Sequence, residues 1–337
     1  MCKDSSQQCK VLPSGRNRRT SAVAGEHLQL HDFHGEQLHF IQIGFGNNTT
    51  FVQNLAGPDD CWSRQVDWLL SACSEMRPED ARGLAVEPVR HHFRAMRRLA
   101  LQHLRQVQLL QAALGEGPEA GEETEIFVLQ DSDELLALLP RGRRRRRLRW
   151  QFSFLENMSC VGREHPEFES MCRWIQERYG LRPKMIPERV EKWSWATLAR
   201  QLNFSGCQVL LIDAEGHDAS ILRSMLDHCE GRPDEFPEVI QFETRGHCDR
   251  VEGSSSELQI IDALQDAGYL LLSFSHADTH LVLRSAFQRR RRLRRWASAW
   301  ACTTCWRKSR FPYYSCGWHG TYCSPCWESW ERGRERS

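Results

Sequence analysis

Asp213 and Glu215 stand one residue apart in Leu210-Leu-Ile-Asp-Ala-Glu-Gly216, directly after an apolar run and directly before a glycine. A carboxylate pair held at one pocket can take a proton from a hydroxyl or amine, or hold a cationic group. Residues i and i+2 of a strand point the same way, so the spacing predicts that both acids reach one pocket before Gly216 turns the chain. The plainer alternative is charge compensation at the N-terminus of the following helix, where anions are favoured. His217 is the next residue. It is a candidate base, or else a partly exposed neighbour of the two acids.

Three other groups of residues could bind a ligand. Gly44 and Gly46, in Ile43-Gly-Phe-Gly-Asn-Asn48, would let a backbone turn approach a ligand where a Cβ would clash. Glu87 closes the short apolar run Leu84-Ala-Val and precedes Pro88. There it can accept hydrogen bonds from ribose hydroxyls or simply help the next helix to start. Ala112 and Ala113 would form a flat wall for a planar base, or plain core packing.

The C-terminal tail carries a separate signal. It reads Cys302-Thr-Thr-Cys305, Cys316-Gly-Trp-His319 and Cys323-Ser-Pro-Cys326, with 17 residues between the first and last knuckles. That spacing matches a zinc ribbon, and grouped thiolates select zinc. Cys302, Cys305, Cys323 and Cys326 are the expected ligands, with Cys316 and His319 in surplus. Disulfides or reactive thiols are the alternatives. The six Trp residues between Trp296 and Trp330 would pack around the metal in a module too short to fold without a staple.

These groups need elements to position them. Leu38–Ile43 reads as a first strand, Leu84–Glu87 as a second, Val107–Leu114 as a third and Glu125–Leu129 as a further one. A helical stretch is expected near 60–75, and an amphipathic helix over Val89–Leu104 presents Phe93, Met96, Leu99 and Ala100 on one side. Residues 130–190 read as an irregular insertion containing a helix, Glu167–Tyr179. A helix over Trp193–Leu202 leads to the strand Val209–Ile212. Ile221, Leu222, Met225 and Leu226 then recur at helical spacing. Val239–Glu243, a helix over Glu257–Ala267, and strands Tyr269–Phe274 and His280–Leu283 follow, the last two predicting an antiparallel hairpin. Such alternation predicts a mostly parallel sheet with helices on both faces. Asp213 and Glu215 would then lie at the carboxyl end of a buried strand, where open α/β sheets bind ligands.

Taken in order, these landmarks resemble the FkbM-type methyltransferases. Ile41-Gln-Ile-Gly-Phe-Gly-Asn-Asn-Thr49 looks like the family's glycine-rich first motif. Val86-Glu-Pro88 looks like its acid-Pro pair, and Gln111-Ala-Ala-Leu-Gly-Glu116 like its small-residue turn. Leu210-Leu-Ile-Asp-Ala-Glu-Gly216 is similar to its Ile-Asp-x-Glu-Gly block, and Pro237–Glu243 and Ala267-Gly-Tyr269 follow in the expected order. The resemblance covers roughly residues 36–285. It implies a Rossmann-like seven-stranded sheet and S-adenosylmethionine bound by Gln42, Gly44, Gly46, Asn48, Glu87, Ala112 and Ala113. It also implies O-methyl transfer to a small-molecule or glycan-type acceptor, with Asp213, Glu215 and His217 at the reacting end. Gln42 stands where Asp is common, Asn48 where a third Gly is common, and Leu211 where a Lys often precedes the Ile-Asp pair. Two other readings remain. One is a nicotinamide-dependent enzyme using the Gly44-x-Gly46 turn. The other is a catalytically decayed scaffold whose tail binds a protein partner through zinc.

Composition narrows the partners. The 337 residues carry a formal net charge of +1, so no global field selects nucleic acid or an anionic membrane. The arginine runs 143–149 and 289–295 read as solvated segments before they read as phosphate contacts. The first 25 residues are polar, without the apolar stretch of a secretory signal, and no run approaches a membrane span. Nine of the 14 cysteines are scattered singly from Cys2 to Cys248, as in a reduced, intracellular protein, cytoplasmic or nuclear. The expected organisation is a disordered segment over 1–28, a methyltransferase-like domain over 29–286, a basic linker over 287–295 and a zinc module over 296–330.

Overall fold

Over the described residues short apolar runs alternate with amphipathic helices, and the strands form two sheets. The computed structural model describes residues 32–44, 81–103, 106–117, 122–129, 132–139, 160–161, 168–244, 246–274 and 278–289, with single positions at 142, 148 and 152. The expected segment 1–28, the helix near 60–75, the arginine run 143–147, the linker from residue 290 and the cysteine-rich tail lie outside the described residues.

The strands are β1 (Glu36–Ile43), β2 (Gly83–Val86), β3 (Val107–Leu110), β4 (Ala113–Leu114), β5 (Glu122–Leu129), β6 (Cys160–Val161), β7 (Met185–Trp193), β8 (Phe204–Ile212), β9 (Val239–Glu243), β10 (Tyr269–Phe274) and β11 (Asp278–Leu283). The helices are α1 (Arg90–His103), α2 (Ser132–Ala137), α3 (Phe168–Tyr179), α4 (Trp195–Leu202), α5 (Asp218–Cys229), α6 (His247–Glu252), α7 (Ser256–Asp266) and α8 (Arg284–Arg289).

The large sheet has seven strands in the order β10-β11-β9-β8-β1-β2-β3. β1, β2, β3, β8 and β9 run parallel, whereas β11 is antiparallel to both β9 and β10. The turn joining β10 to β11, residues 275–277, lies outside the described residues. Successive residues of β1 from Phe40 to Ile43, all of β2 and the end of β8 are buried. A strand buried on both faces carries a continuous apolar run, and these strands do so. Phe40, Ile41, Leu84, Val209, Leu210, Val239 and Ile240 are wholly excluded from solvent at the centre of the core.

Local chemistry sets the approach to β8. The Ser194 side chain accepts from the Thr197 N–H and caps α4, and Asn203 ends that helix in a left-handed conformation, φ 48°. The Trp195 N–H donates to Ser224 Oγ at 2.9 Å, which ties the start of α4 to α5. The helix therefore begins two residues after the predicted start, because β7 runs through Trp193.

The described part of 130–190 is more regular than its sequence suggests. β5 and β7 pair antiparallel over eight positions, from Glu122 opposite Lys192 to Leu129 opposite Met185. With β4 and β6 they form a second sheet, ordered β4-β7-β5-β6. Leu129, Leu136, Leu148, Phe152, Phe168, Cys172, Ile175 and Met185 make a core of their own between this sheet and α3. The predicted third strand, 107–114, divides at Gln111 and Ala112. Its first half joins the large sheet and its second half pairs with β7.

Candidate functional site

From β1 the chain steps outward to β2 and β3, and from β8 it steps the other way to β9. The strand order reverses between β1 and β8, and ligands of open α/β sheets bind at the carboxyl ends of strands at such a switch point. Four segments meet there: Gly44 after β1, Glu87 after β2, the Asp213–Gly216 turn after β8, and Glu243 at the end of β9.

Backbone hydrogen bonds carry the ladder past the strand ends. The Gly44 N–H donates to Val86 O at 2.9 Å, the Asp213 N–H to Ile43 O at 2.9 Å, and the Glu87 N–H to Leu110 O at 3.0 Å. Gly44 has φ +70°, and a Cβ on it would overlap the backbone carbonyl oxygen of Asp213. What approaches Gly44 so closely is the protein's own Asp213 main chain. The Gln42 side chain is buried, and its Nε2 reaches Gly44 O at 3.4 Å.

The expectation that Asp213 and Glu215 project side by side, as on a strand, is corrected. β8 ends at Ile212, and Glu215 takes a left-handed conformation, φ 49°. Strand alternation therefore no longer applies. Asp213 is exposed. Glu215 turns toward α6, with Oε2 3.9 Å from His247 Nδ1. Gly216, φ +97°, lies against the same helix: a Cβ there would sit 2.6 Å from Val251 Cγ2 and 2.8 Å from His247 O. His217 is half-buried at the N-cap of α5, with no side-chain capping bond.

Asp218 organises this turn. It is fully buried, and its Oδ2 accepts the N–H groups of Ala214 and Gly216, each at 3.3 Å. Its Oδ1 accepts the Glu243 N–H at 3.2 Å. One carboxyl thus joins the turn after β8 to the end of β9. Burial, then the neighbouring charges of Asp213 and Glu243, push its pKa well above the usual carboxylate range.

His247 opens α6 and completes a cluster. Its Nδ1 lies 2.9 Å from Glu243 Oε2, and one donor atom from each of Glu215, Glu243 and His247 falls within 4.8 Å of the others. The side chains of His247, Glu243 and Glu215 are 12%, 15% and 21% exposed, sheltered yet reachable. Farther along α5, Arg223 forms ion pairs with both Glu116 and Glu252. The exposed Glu116 thereby anchors the turn after β4 to α5 and α6.

At the end of β2, Glu87 is almost completely buried, and its Oε1 accepts the Val89 N–H at 2.8 Å. His92 Nδ1 lies 3.7 Å from the same oxygen. This carboxylate has the helix-starting contact that its sequence position also suggested, in a buried rather than a surface setting. Ala112 and Ala113 are both enclosed: Ala112 belongs to the main core, and Ala113 packs with Val89, Ile126, Val128 and Val190. Gly46, Asn48 and the proposed zinc ligands Cys302, Cys305, Cys323 and Cys326 lie outside the described residues.

Two residues of the site escaped sequence reasoning. His247 lies four positions after Glu243, and that Glu-x3-His spacing was its only signal. Asp218 looks like an ordinary acid in a first helical turn, and its bridging role depends on β9 lying beside β8. Among the described residues, Cys172, Cys207, Cys229 and Cys248 are buried and outside any disulfide, and no helix is long and apolar enough to cross a membrane. No protein-family model matches the chain, and no curated protein matches it significantly.

Proposed function

We propose that this protein is an S-adenosylmethionine-dependent methyltransferase acting on an oxygen of a small-molecule or glycan-type acceptor. The observation that carries the proposal is the meeting of Gly44, Glu87 and the Asp213–Gly216 turn at the switch point between β1 and β8. The sequence resemblance assigns these same residues to the cofactor and the reacting end.

Of the residues that the resemblance gives to the cofactor, Gly44 and Glu87 stand at the carboxyl ends of β1 and β2. Glu87 is a carboxylate at the carboxyl end of β2, and its bond to the Val89 N–H fixes its orientation. A carboxylate at that strand end can accept from a ribose diol; Glu87 is almost wholly buried and its Oε1 is bonded to Val89, so the diol must open a path to it. When bound, S-adenosylmethionine supplies a methyl group on a positively charged sulfur. The protein's part is to hold the acceptor in line with that methyl and to remove the acceptor's proton. Asp213 is the acid exposed to an incoming acceptor, whereas Glu215 is engaged with His247. We therefore assign Asp213 as the proton acceptor and the Glu215–His247–Glu243 group as the adjoining wall. Positioning of the two reactants can supply a large part of such a rate.

Calorimetric titration of S-adenosylhomocysteine into folded wild type and Glu87→Ala tests the assignment. The variant should bind at least about tenfold more weakly, since a charge-assisted hydrogen bond contributes ~1.5–3 kcal/mol. Equal affinities would remove Glu87 from the site. Binding of NAD in place of S-adenosylhomocysteine would favour a nicotinamide-dependent enzyme.

A further inference from the structure

Glu215, Glu243 and His247 come from three segments: the turn after β8, the end of β9 and the start of α6. Their donor atoms converge to within 4.8 Å. Two donors bound at a right angle to an ion ~2.1 Å away stand about 3 Å apart, given usual metal–ligand lengths. His247 Nδ1 and Glu243 Oε2, 2.9 Å apart, have that separation, and His247 Nδ1 and Glu215 Oε2, 3.9 Å apart, correspond to a wider angle. We propose that Glu215, Glu243 and His247 form a binding site for a divalent metal ion at the carboxyl ends of β8 and β9.

The supporting framework is built in. Gly216 allows α6 to pack directly on the turn that carries Glu215. Asp218 receives N–H groups from that turn and from Glu243 itself, so the backbones of two ligands share one buried anchor. The Thr244 carbonyl accepts the His247 N–H at 2.8 Å, which fixes the start of α6 relative to β9. Outer partners of this kind orient metal ligands.

Ligand chemistry selects the ion. Carboxylates suit Mn²⁺ and imidazole suits Zn²⁺, so a mixed set favours an ion of that class over Ca²⁺. Three protein ligands also leave coordination positions open, as in catalytic rather than structural sites. The open positions would take an oxygen ligand from solvent or substrate. The alternative is metal-free: His247 in polar contact with the two glutamates alone.

Mn²⁺ is the probe that separates these cases, because cysteine sulfur, which the tail sequence could offer, prefers zinc to Mn²⁺. The full chain, stripped with chelator, is titrated with MnCl₂ and followed by electron paramagnetic resonance, with pulsed measurement of nitrogen coupling. The site predicts one Mn²⁺ per chain with a coupled imidazole nitrogen. That coupling should vanish in His247→Gln, and affinity should fall at least about tenfold in Glu243→Gln, the scale on which even outer partners act. Absence of Mn²⁺ binding by wild type would overturn the proposal, as would bound Mn²⁺ without nitrogen coupling, and neither readout depends on the variants folding. Retention of full affinity and coupling in both folded variants would overturn it too. No S-adenosyl ligand is present, so the result is independent of the methyltransferase proposal.

Discussion

Replacing Gly44 by alanine should be among the most damaging single-methyl additions in the protein, and the structure sets the scale. At φ +70° an alanine pays roughly 1–2 kcal/mol for the left-handed conformation alone. Its Cβ would also overlap the Asp213 carbonyl oxygen and lie 2.8 Å from the carbonyl carbon. The obstacle is main chain, so no side-chain rotation relieves it, and the ends of β1 and β8 must separate. Overpacking of this kind costs ~1–3 kcal/mol, giving a total of about 2–5 kcal/mol. Gly35 is the matched control: its φ is +74°, but among the described residues nothing lies within 4 Å of an added Cβ. Gly35→Ala should therefore pay only the conformational part. Both variants share the stiffening of the unfolded chain, so their difference isolates the contact. Equilibrium urea unfolding followed by tryptophan fluorescence and circular dichroism measures it. Gly44→Ala should also weaken S-adenosylhomocysteine binding, because the displaced segment carries the site. A Gly44→Ala variant no less stable than Gly35→Ala would refute the close packing of the two turns.

Asp218→Ala should lose about 2–4 kcal/mol, because the N–H groups of Ala214, Gly216 and Glu243 lose their acceptor at once; a loss below ~1 kcal/mol in urea unfolding would contradict the bridging role. Glu257 gives a pH test: burial, then the nearby Asp249 charge, raise its pKa from 4.5 to about 7. Its folded form keeps a proton that the unfolded form releases, so its contribution is complete below pH 4.5 and is lost as pH rises through 7. Thermal melts should show wild type losing ground to Glu257→Gln between pH 5 and pH 8, and parallel profiles would exclude that shift. In the tail, elemental analysis should find at least one zinc per chain, lost on Cys302→Ser with Cys305→Ser while the sheet's circular dichroism is retained. Absence of zinc together with intact disulfides would replace the ribbon by an oxidised module.

The large sheet was legible because its strands are buried on both faces and so spell continuous apolar runs. Val239–Glu243 and Tyr269–Phe274 coincide with their predicted limits. β7 was illegible for the converse reason. Its buried residues, Met185, Val190 and Trp193, follow no two-residue alternation, and Pro187 argues against a central strand. The structure accommodates that proline because β4 pairs only with Lys192 and Trp193, leaving β7 an edge at Pro187. Glu215 shows the limit at the site itself. Its place after an apolar run was readable, but the positive φ that turns it toward His247 is a tertiary outcome, enforced by α6 packing on Gly216. Asp218 and His247 become functional neighbours only through the adjacency of β8 and β9, which no local pattern encodes.

Native mass spectrometry of the full chain with S-adenosylhomocysteine tests the central claim most directly. One ligand should be retained per chain, with NAD not retained under the same conditions and with retention reduced in Glu87→Ala. A folded wild-type chain that retains no S-adenosylhomocysteine at millimolar concentration would contradict the claim and leave the switch-point site to another ligand.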